Sequence, residues 1–600
     1  MGFRAITAQL ILRTPLHVGT GNATDAVDDL LRRDAQGRIL IPGTSLAGPL
    51  RAIATRLAPR LGSDLCQALK DHPNQDNPPA CKCLTCQLFG DVNPREESAE
   101  GVASWVIVYD ATLATEEETV IRDGVGIDRV TGAAARKERL KFDVEVLSAG
   151  ATFLMRLELD SRLASTKALQ LLAASLAEWE AGRGVVGGRV GRGLGAFDLK
   201  NIQFQEQTLD TVDSLTKFLK SGPDWSGKNG VAGWLTSEVV KARSTVRPWQ
   251  GTDTLLVARS WVLAEFTLAA DGPFLINDPV RAGQGGFDHA PLLAAYAQNG
   301  EPVLPGSSLR GVLRSQAERI ARTLATQTAW KAGNRTNLER QKAFWASCPA
   351  CNPLTESVRD EVASCNSFIR GKMSSQERRN LDKTGADEKL CLACRLFGST
   401  WNGSRLRVED SVMRPGTGKR KVMDFLAIDR FTGGGRDGAK FDAVVLWKPQ
   451  FKVRLFLENP EGWELGWLAL ALRDLHEGLT TVGFGAAKGF GRMTIQSPSL
   501  TFGILHDTDL PILASNSAMS QAGQRLLEKK DIVSGIYQTL KYNDTQKPDW
   551  LALANGWVQE FHTAVHDKPR HKEFIMENDS YFTKKAGQWL PDLYPVEESL

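Results

Sequence analysis

The chain has 600 residues, 42% of them hydrophobic and 24% charged, the make-up of an ordinary globular protein with room for more than one core. Its 73 Lys and Arg nearly balance 70 Asp and Glu, for a net charge of +3. That excludes a uniformly basic coating protein, so any nucleic-acid surface must come from local clusters of Lys and Arg. No apolar run reaches the length of a membrane span, and MGFRAITAQLILRTPLHVG lacks the layout of a signal peptide. A cytoplasmic protein is expected, in which the nine cysteines serve as metal ligands or buried thiols rather than disulfides.

In chain order, the alternating stretch FRAITAQLIL (3–12) predicts a strand. The acidic loop 19–45 ends in a Pro-Gly turn, and a helix is predicted over 44–59 with Thr44 or Ser45 as its N-cap. ATFLMRLELD (151–160) predicts a strand and TKALQLLAASLAEWEAG (166–182) a helix, followed by the glycine-rich GRGVVGGRVGRGLG (182–195). Residues 206–255 mix short helical patterns with turn signals and read as a partly ordered connector.

The series then repeats. IPGTSLAGPLRAIATRLA (41–58) returns as LPGSSLRGVLRSQAERIA (304–321), CLTCQLFGD (83–91) as CLACRLFGS (391–399), GIDRVTG (126–132) as AIDRFTG (427–433) and KFDVEVL (141–147) as KFDAVVL (440–446). The glycine-rich loop returns more loosely around 488–493. Landmarks that keep their order mean two tandem copies of one whole domain. The second copy predicts strands at 261–270 and 451–460 and helices at 307–324, with Ser307 or Ser308 as N-cap, and at 466–478. Strand–helix–strand twice per copy predicts an α+β, ferredoxin-like sheet with one helical face. The expected division is 1–205, connector 206–255, 256–505, and an extension 506–600. Within that extension 520–542 reads as helical and KPRHKEF (568–574) as basic, a docking appendage rather than a separate RNA binder.

Cys348-Pro-Ala-Cys351 and Cys391-Leu-Ala-Cys394 form two CxxC knuckles able to aim four thiolates at one tetrahedral Zn²⁺, leaving Cys365 spare. In the first copy Cys81, Cys83 and Cys86 need a fourth ligand, either Cys66 or His72, with Cys66 favoured. Both sites are closed and therefore structural, about two zinc ions per chain, each holding a long loop that has little core of its own.

These motifs resemble the RAMP superfamily, specifically the backbone subunits of type III CRISPR effector complexes, and two such units in one chain resemble the fused subunits of type III-D variants. The matching features are LHVG (16–19), the acidic loop before PGxSLxG, the CxxCxLFG knuckle, IDRxTG and the late glycine-rich loop. The resemblance implies an RRM-type core with finger and thumb insertions, guide RNA and target RNA as ligands, and other effector subunits as partners. Some members cut target RNA at regular intervals with an aspartate in the loop before PGxSL. Carried onto this chain, that position is Asp28, with Asp25 and Asp29 as rivals, and Asp288, with Asp278 as rival. Such a carboxylate could hold a divalent metal such as Mg²⁺ or Mn²⁺ near the scissile phosphate, or orient the 2′-hydroxyl.

The residues expected to meet RNA fall into three groups. Arg183, Arg189, Arg192, Lys488 and Arg492 lie in or beside the glycine-rich loops, where a bare backbone can approach phosphates. Arg129, Arg136, Lys137, Arg139 and Lys141, with Arg430, Arg436 and Lys440, fall in two basic hairpins that resemble the family's thumb. Ser45, Arg51, Ser308, Arg310 and Arg314 sit at the start of the helix after PGxSL. Three readings remain: an RNA-guided endoribonuclease, an inert RNA-binding backbone, and a guide-processing nuclease. The last lacks a well-placed His or Tyr beside a glycine-rich loop.

Overall fold

Strand Gly2–Leu12 organises the first sheet. Its alternate residues Ile6, Ala8, Leu10 and Leu12 are buried, and it pairs antiparallel with Thr152–Leu159 on one side and Phe197–Thr208 on the other. Two short strands, Val106–Val108 and Ala111–Leu113, pair with the far edge of Thr152–Leu159. With helices Gly43–Leu57 and Thr166–Glu180 between them, the strands stand in the order fourth, first, third, second, which is the ferredoxin-like order. Leu46 and Leu50 of one helix and Leu171 and Trp179 of the other join Ile6, Leu10 and Phe153 in one core. Each such side chain contributes about 1.5–3 kcal/mol by leaving water. The computed structural model describes residues 2–24, 27–66, 81–91, 101–114, 117–127, 134, 141–160, 165–224, 230–249, 257–278, 281–283, 286–294, 300–331, 349–353, 364–375, 378, 390–509, 533–543 and 550–567.

The second unit repeats the plan. Ser260–Ala270 lies between Gln450–Glu458 and Met493–Ile504, and Leu406–Val408 pairs beyond Gln450–Glu458. Helices Gly306–Lys331 and Gly462–His476 cover it. Each unit sends out an antiparallel hairpin before its third core strand: Thr119–Val125 with Lys141–Leu147, and Lys419–Ile428 with Gly435–Trp447.

Two expectations are corrected. The helices after PGxSL begin at Gly43 and Gly306, inside the Pro-Gly turn, and Pro42 caps the first with no side-chain bond. Ser45 and Ser308 therefore lie within the first turn, and remote carboxylates do the capping. Asp110 Oδ1 accepts from the Gly43 N–H at 2.7 Å, and Asp410 Oδ1 from the Gly306 N–H at 2.8 Å. Within the expected helix 520–542, the described part is strand: Val533–Ser534 and Tyr537–Asn543, turning at Gly535 with φ +60°. The open edge of Met493–Ile504 supplies the pairing that decides it, and local helical pattern yields to that ladder. The basic stretch 568–574 lies outside the described residues.

The extension binds both units. Its helix Asn555–Asp567 packs on Gly462–His476, with Trp467 stacked on Phe561 at 5.1 Å. Its strand hairpin reaches the first unit and the connector: Arg183 Nη1 donates to Ser534 Oγ at 2.8 Å, and Arg243 Nη2 donates to Gly535 O. The connector forms helices Val212–Ser221 and Trp234–Ser244, the latter packed through Trp234 on Phe204. Arg60, fully buried, donates to Arg247 O, to Ala258 O and to both carboxylate oxygens of Asp509, so first unit, connector, the start of the second unit and the extension meet at one guanidinium.

Candidate functional site

Both loop aspartates are bound to the same rung of the hairpin strand in their own unit. Asp28 Oδ2 accepts from the Asp143 N–H at 2.8 Å, and the Asp28 N–H donates to Asp143 O at 3.1 Å. Asp288 Oδ2 accepts from the Asp442 N–H at 2.9 Å, and its own N–H donates to Asp442 Oδ1 at 2.9 Å. Asp143 and Asp442 end the repeated KFD triplets, noted in the sequence only as landmarks. Across each hairpin stands a further acid, Asp123 opposite Asp143 and Asp424 opposite Asp442. Burial first, then Asp143, pushes Asp123 up to about 6. Asp424 is exposed and instead meets Lys440 Nζ at 3.3 Å. The two inner acids and their cross-strand partners were not singled out from the sequence, where the identity of KFD in both copies was the available signal.

The units differ in the next residue. Asp29 Oδ2 lies 3.0 Å from His17 Nε2, while His17 Nδ1 lies 2.7 Å from Glu145 O. Asp29 Oδ1 also accepts from the Gly21 N–H. A buried imidazole thus ties Asp29 to the wall and leaves exposed Asp28 as the outward carboxylate. In the second unit His289 takes Asp29's place and Leu275 takes that of His17. The correspondence follows from Val444 N–H donating to His289 O, and from the glycine-rich loops donating to His17 O and Leu275 O alike. His289 packs against Phe484 and Phe441, with ring centroids at 4.6 and 5.7 Å. Of the rivals, Asp278 is buried and held beside Arg281. Asp25 lies outside the described residues.

The cysteines form two groups, each with all four Sγ atoms within 4.8 Å of one another: Cys66, Cys81, Cys83 and Cys86, and Cys351, Cys365, Cys391 and Cys394. Cys66 thus joins the first cluster; its alternative, His72, lies outside the described residues. In the second cluster Cys365, expected to be spare, supplies the fourth sulfur, and Cys348 lies outside the described residues. The reason is local: Ser364 caps helix Cys365–Lys372, which sets Cys365 beneath the other knuckle, and its Sγ accepts from the Cys391 N–H at 3.3 Å. The donor set fits Zn²⁺. Four thiolates at about 2.3 Å from one ion stand about 3.8 Å apart, and Cys66–Cys86 and Cys351–Cys394 are 3.5 Å apart. Thiols this close cannot ionise together unaided. The bond with Cys66 pushes Cys83 up to about 12, while that with Cys365 brings Cys351 down to about 7. A divalent cation removes the conflict, holding all four as thiolates.

The candidate RNA-binding cations divide sharply. Several are engaged with the protein's own groups. Arg183 is ion-paired to Glu178 at 2.6 Å and lies over the Trp261 ring at 4.7 Å. Arg314 pairs with Glu318, and its Nη2 lies 4.0 Å from Cys394 Sγ; Arg51 Nη2 lies 3.7 Å from Cys86 Sγ. Arg310 donates to Phe397 O. The helix after PGxSL is packed on the cysteine knuckle, so the half-buried cations on that face meet carbonyls and cysteine sulfurs. Others remain outward. Lys141, Arg192, Arg430, Arg436, Lys440, Lys488 and Arg492 are exposed, Arg492 beside Asp271 at 3.4 Å. Half-buried Arg189 lies over the Phe142 ring at 4.1 Å, with Asp29 and Asp28 in its field. Arg129, Arg136, Lys137 and Arg139 lie outside the described residues. The second hairpin carries bare Phe431 at its tip, 99% exposed, in a turn tied by Asp429 Oδ1 accepting from the N–H groups of Phe431 and Thr432.

Among the described residues no helix is long and apolar enough to cross a membrane. The family model of the RAMP superfamily matches residues 9–198 and 279–494. None of the curated proteins matches the chain.

Proposed function

The chain belongs to the RAMP superfamily, with one family region in each of its two units, and on that premise we propose that it is a backbone subunit of a type III CRISPR effector complex. It binds guide RNA and cuts complementary target RNA once per unit. One observation carries the reading: Asp28 and Asp288, 260 residues apart in unlike loops, are held by the same bond to the same rung of a repeated hairpin. Such repetition fits a site that acts at regular spacing. Zn²⁺ in the cysteine groups is structural, and Mg²⁺ or Mn²⁺ at the loop acids would polarise the scissile phosphate. The hairpins, with Phe431 at one tip, part the bases so that the backbone can align for in-line attack. The exposed cations hold phosphate without reading sequence, since pairing does that.

Cleavage of a complementary RNA by the assembled, guide-loaded complex tests this. Asp28→Ala should erase one product and Asp288→Ala another, each by about 10²-fold or more, with guide binding retained. Parental cutting by the double variant would leave the inert-backbone reading in its place.

A further inference from the structure

The two units meet head to tail, and the joint is built on charge. From the first unit come Arg13, Arg122 and the glycine-rich loop; from the second, Glu409, Asp410 and the start of helix Gly306–Lys331. Arg13 donates through Nε and Nη2 to the two oxygens of Glu409 at 2.8 and 2.7 Å. Arg122 Nη1 donates to Asp410 Oδ2 at 2.6 Å. A Cβ on Gly193 would strike Asp410, Gly306 and Val408, so backbone lies against backbone there. The side chains of Glu409 and Asp410 are 13% and 4% exposed, so both pairs are shielded from solvent.

Because the units repeat, each side of this joint has a counterpart at the chain's outer faces. The head of the first unit has the same frame: Asp110 holds Gly43 as Asp410 holds Gly306. Where Glu409 stands, however, it has Tyr109, whose hydroxyl donates to Glu158. The tail of the second unit also keeps its frame: Gly491 N–H donates to Pro273 O as Gly195 N–H does to Pro15 O. Where Arg13 stands it has Asp271, matched by its bond from N–H to Arg492 O, as Arg13's goes to Ala196 O. Hairpin register puts Met423, opposite Ala443, where Arg122 stands opposite Val144. Every charged anchor of the internal joint except the Asp410 equivalent is therefore replaced at the outer faces, and one is reversed in sign. In a self-joined pair Asp271, beside Arg492 at 3.4 Å, would face Tyr109 and the Glu158–Arg156 ion pair, and Asp110 would meet Met423 rather than a guanidinium, so neither ion pair of the internal joint could re-form.

We propose that these substitutions bar the chain from joining itself end to end, so that each outer face takes a different RAMP-fold subunit, the head face one with a cation opposite Asp110. Only the kind of partner rests on the backbone reading above. A docking face that lacks the matching ion-pair partners, and leaves Asp110 without a cation, excludes a wrong partner as complementary charges select the right one. The chain is then a fixed two-unit length.

Light scattering on the full, zinc-loaded chain without RNA tests this independently of any nuclease activity. The parent should keep the mass of one 65.6 kDa chain at all concentrations. Tyr109→Glu alone, and Asp271→Arg with Met423→Arg in another chain, should each do the same. Mixing the two should double the mass, and all three changes in one chain should give a ladder of end-to-end species. If the tail variant loses its melting transition, Asp271→Arg alone replaces it. A parent that grows into end-to-end oligomers, or folded complementary variants that stay single when mixed, overturns the proposal.

Discussion

Arg51 sets its Nη2 3.7 Å from the Sγ of Cys86, and the second unit repeats the arrangement between Arg314 and Cys394. A Cys₄ zinc centre carries two net negative charges, and a guanidinium beside it offsets part of them. Natively purified protein should contain two zinc ions per chain by elemental analysis. Cys365→Ser should lose one, whereas Cys348→Ser should keep both. Arg51→Ala should keep both ions but release one to a chelator faster, within the 10- to 100-fold range typical of outer-shell changes.

Asp509→Ala should be among the most destabilising single changes outside the cores. It strands a fully buried guanidinium at Arg60, a loss of about 3–5 kcal/mol. Calorimetry should show a lower melting temperature, and Arg60→Met with Asp509→Leu should recover most of it.

Asp123 gives the first unit a pH signature. Its folded pKa of about 6 lies above the ordinary carboxylate value, so the folded state holds a proton that the unfolded state has released. The contribution favours folding below pH 4 and is lost as pH rises through 6. Asp123→Asn should flatten the decline in denaturant midpoint between pH 4 and 6 and raise the midpoint at pH 7.

Arg183 and Arg436 carry the same charge to different ends. Arg430→Ala with Arg436→Ala should lower the salt slope of RNA binding by about 2, close to 1 for each phosphate no longer neutralised. Arg183→Ala should leave the slope unchanged and lower the melting temperature, because Glu178 and Ser534 lose their shared partner.

The tandem architecture was legible because each copy had to solve the same packing problem, so PGxSL, CxLFG and KFD recur wherever backbone and core meet. Asp28 was legible through its loop. Asp288 was harder, since Asn277 and His289 stand where Gly19 and Asp29 are. Cys365 was missed because spacing alone favours CxxC pairs, while its approach depends on a helix cap at Ser364. Arg51 and Arg314 read as surface cations because nothing local reveals a knuckle packed on their helix. The strand Tyr537–Asn543 was hidden for a similar reason: its partner edge lies in Met493–Ile504 and not in its own pattern.

The bond from Arg60 to Asp509 spans 449 positions, and that distance is also a delay. At ribosomal rates of about 5–20 residues per second, Arg60 emerges about 20 to 90 s before its carboxylate exists. The strand that clasps Arg183 comes later still. During that interval the first unit holds a cation with no counter-charge in a forming core, so it reaches its final state only after residue 509 has been made. A product truncated before residue 509 therefore carries a built-in defect far from its broken end, a buried guanidinium in the first unit with no carboxylate to meet it.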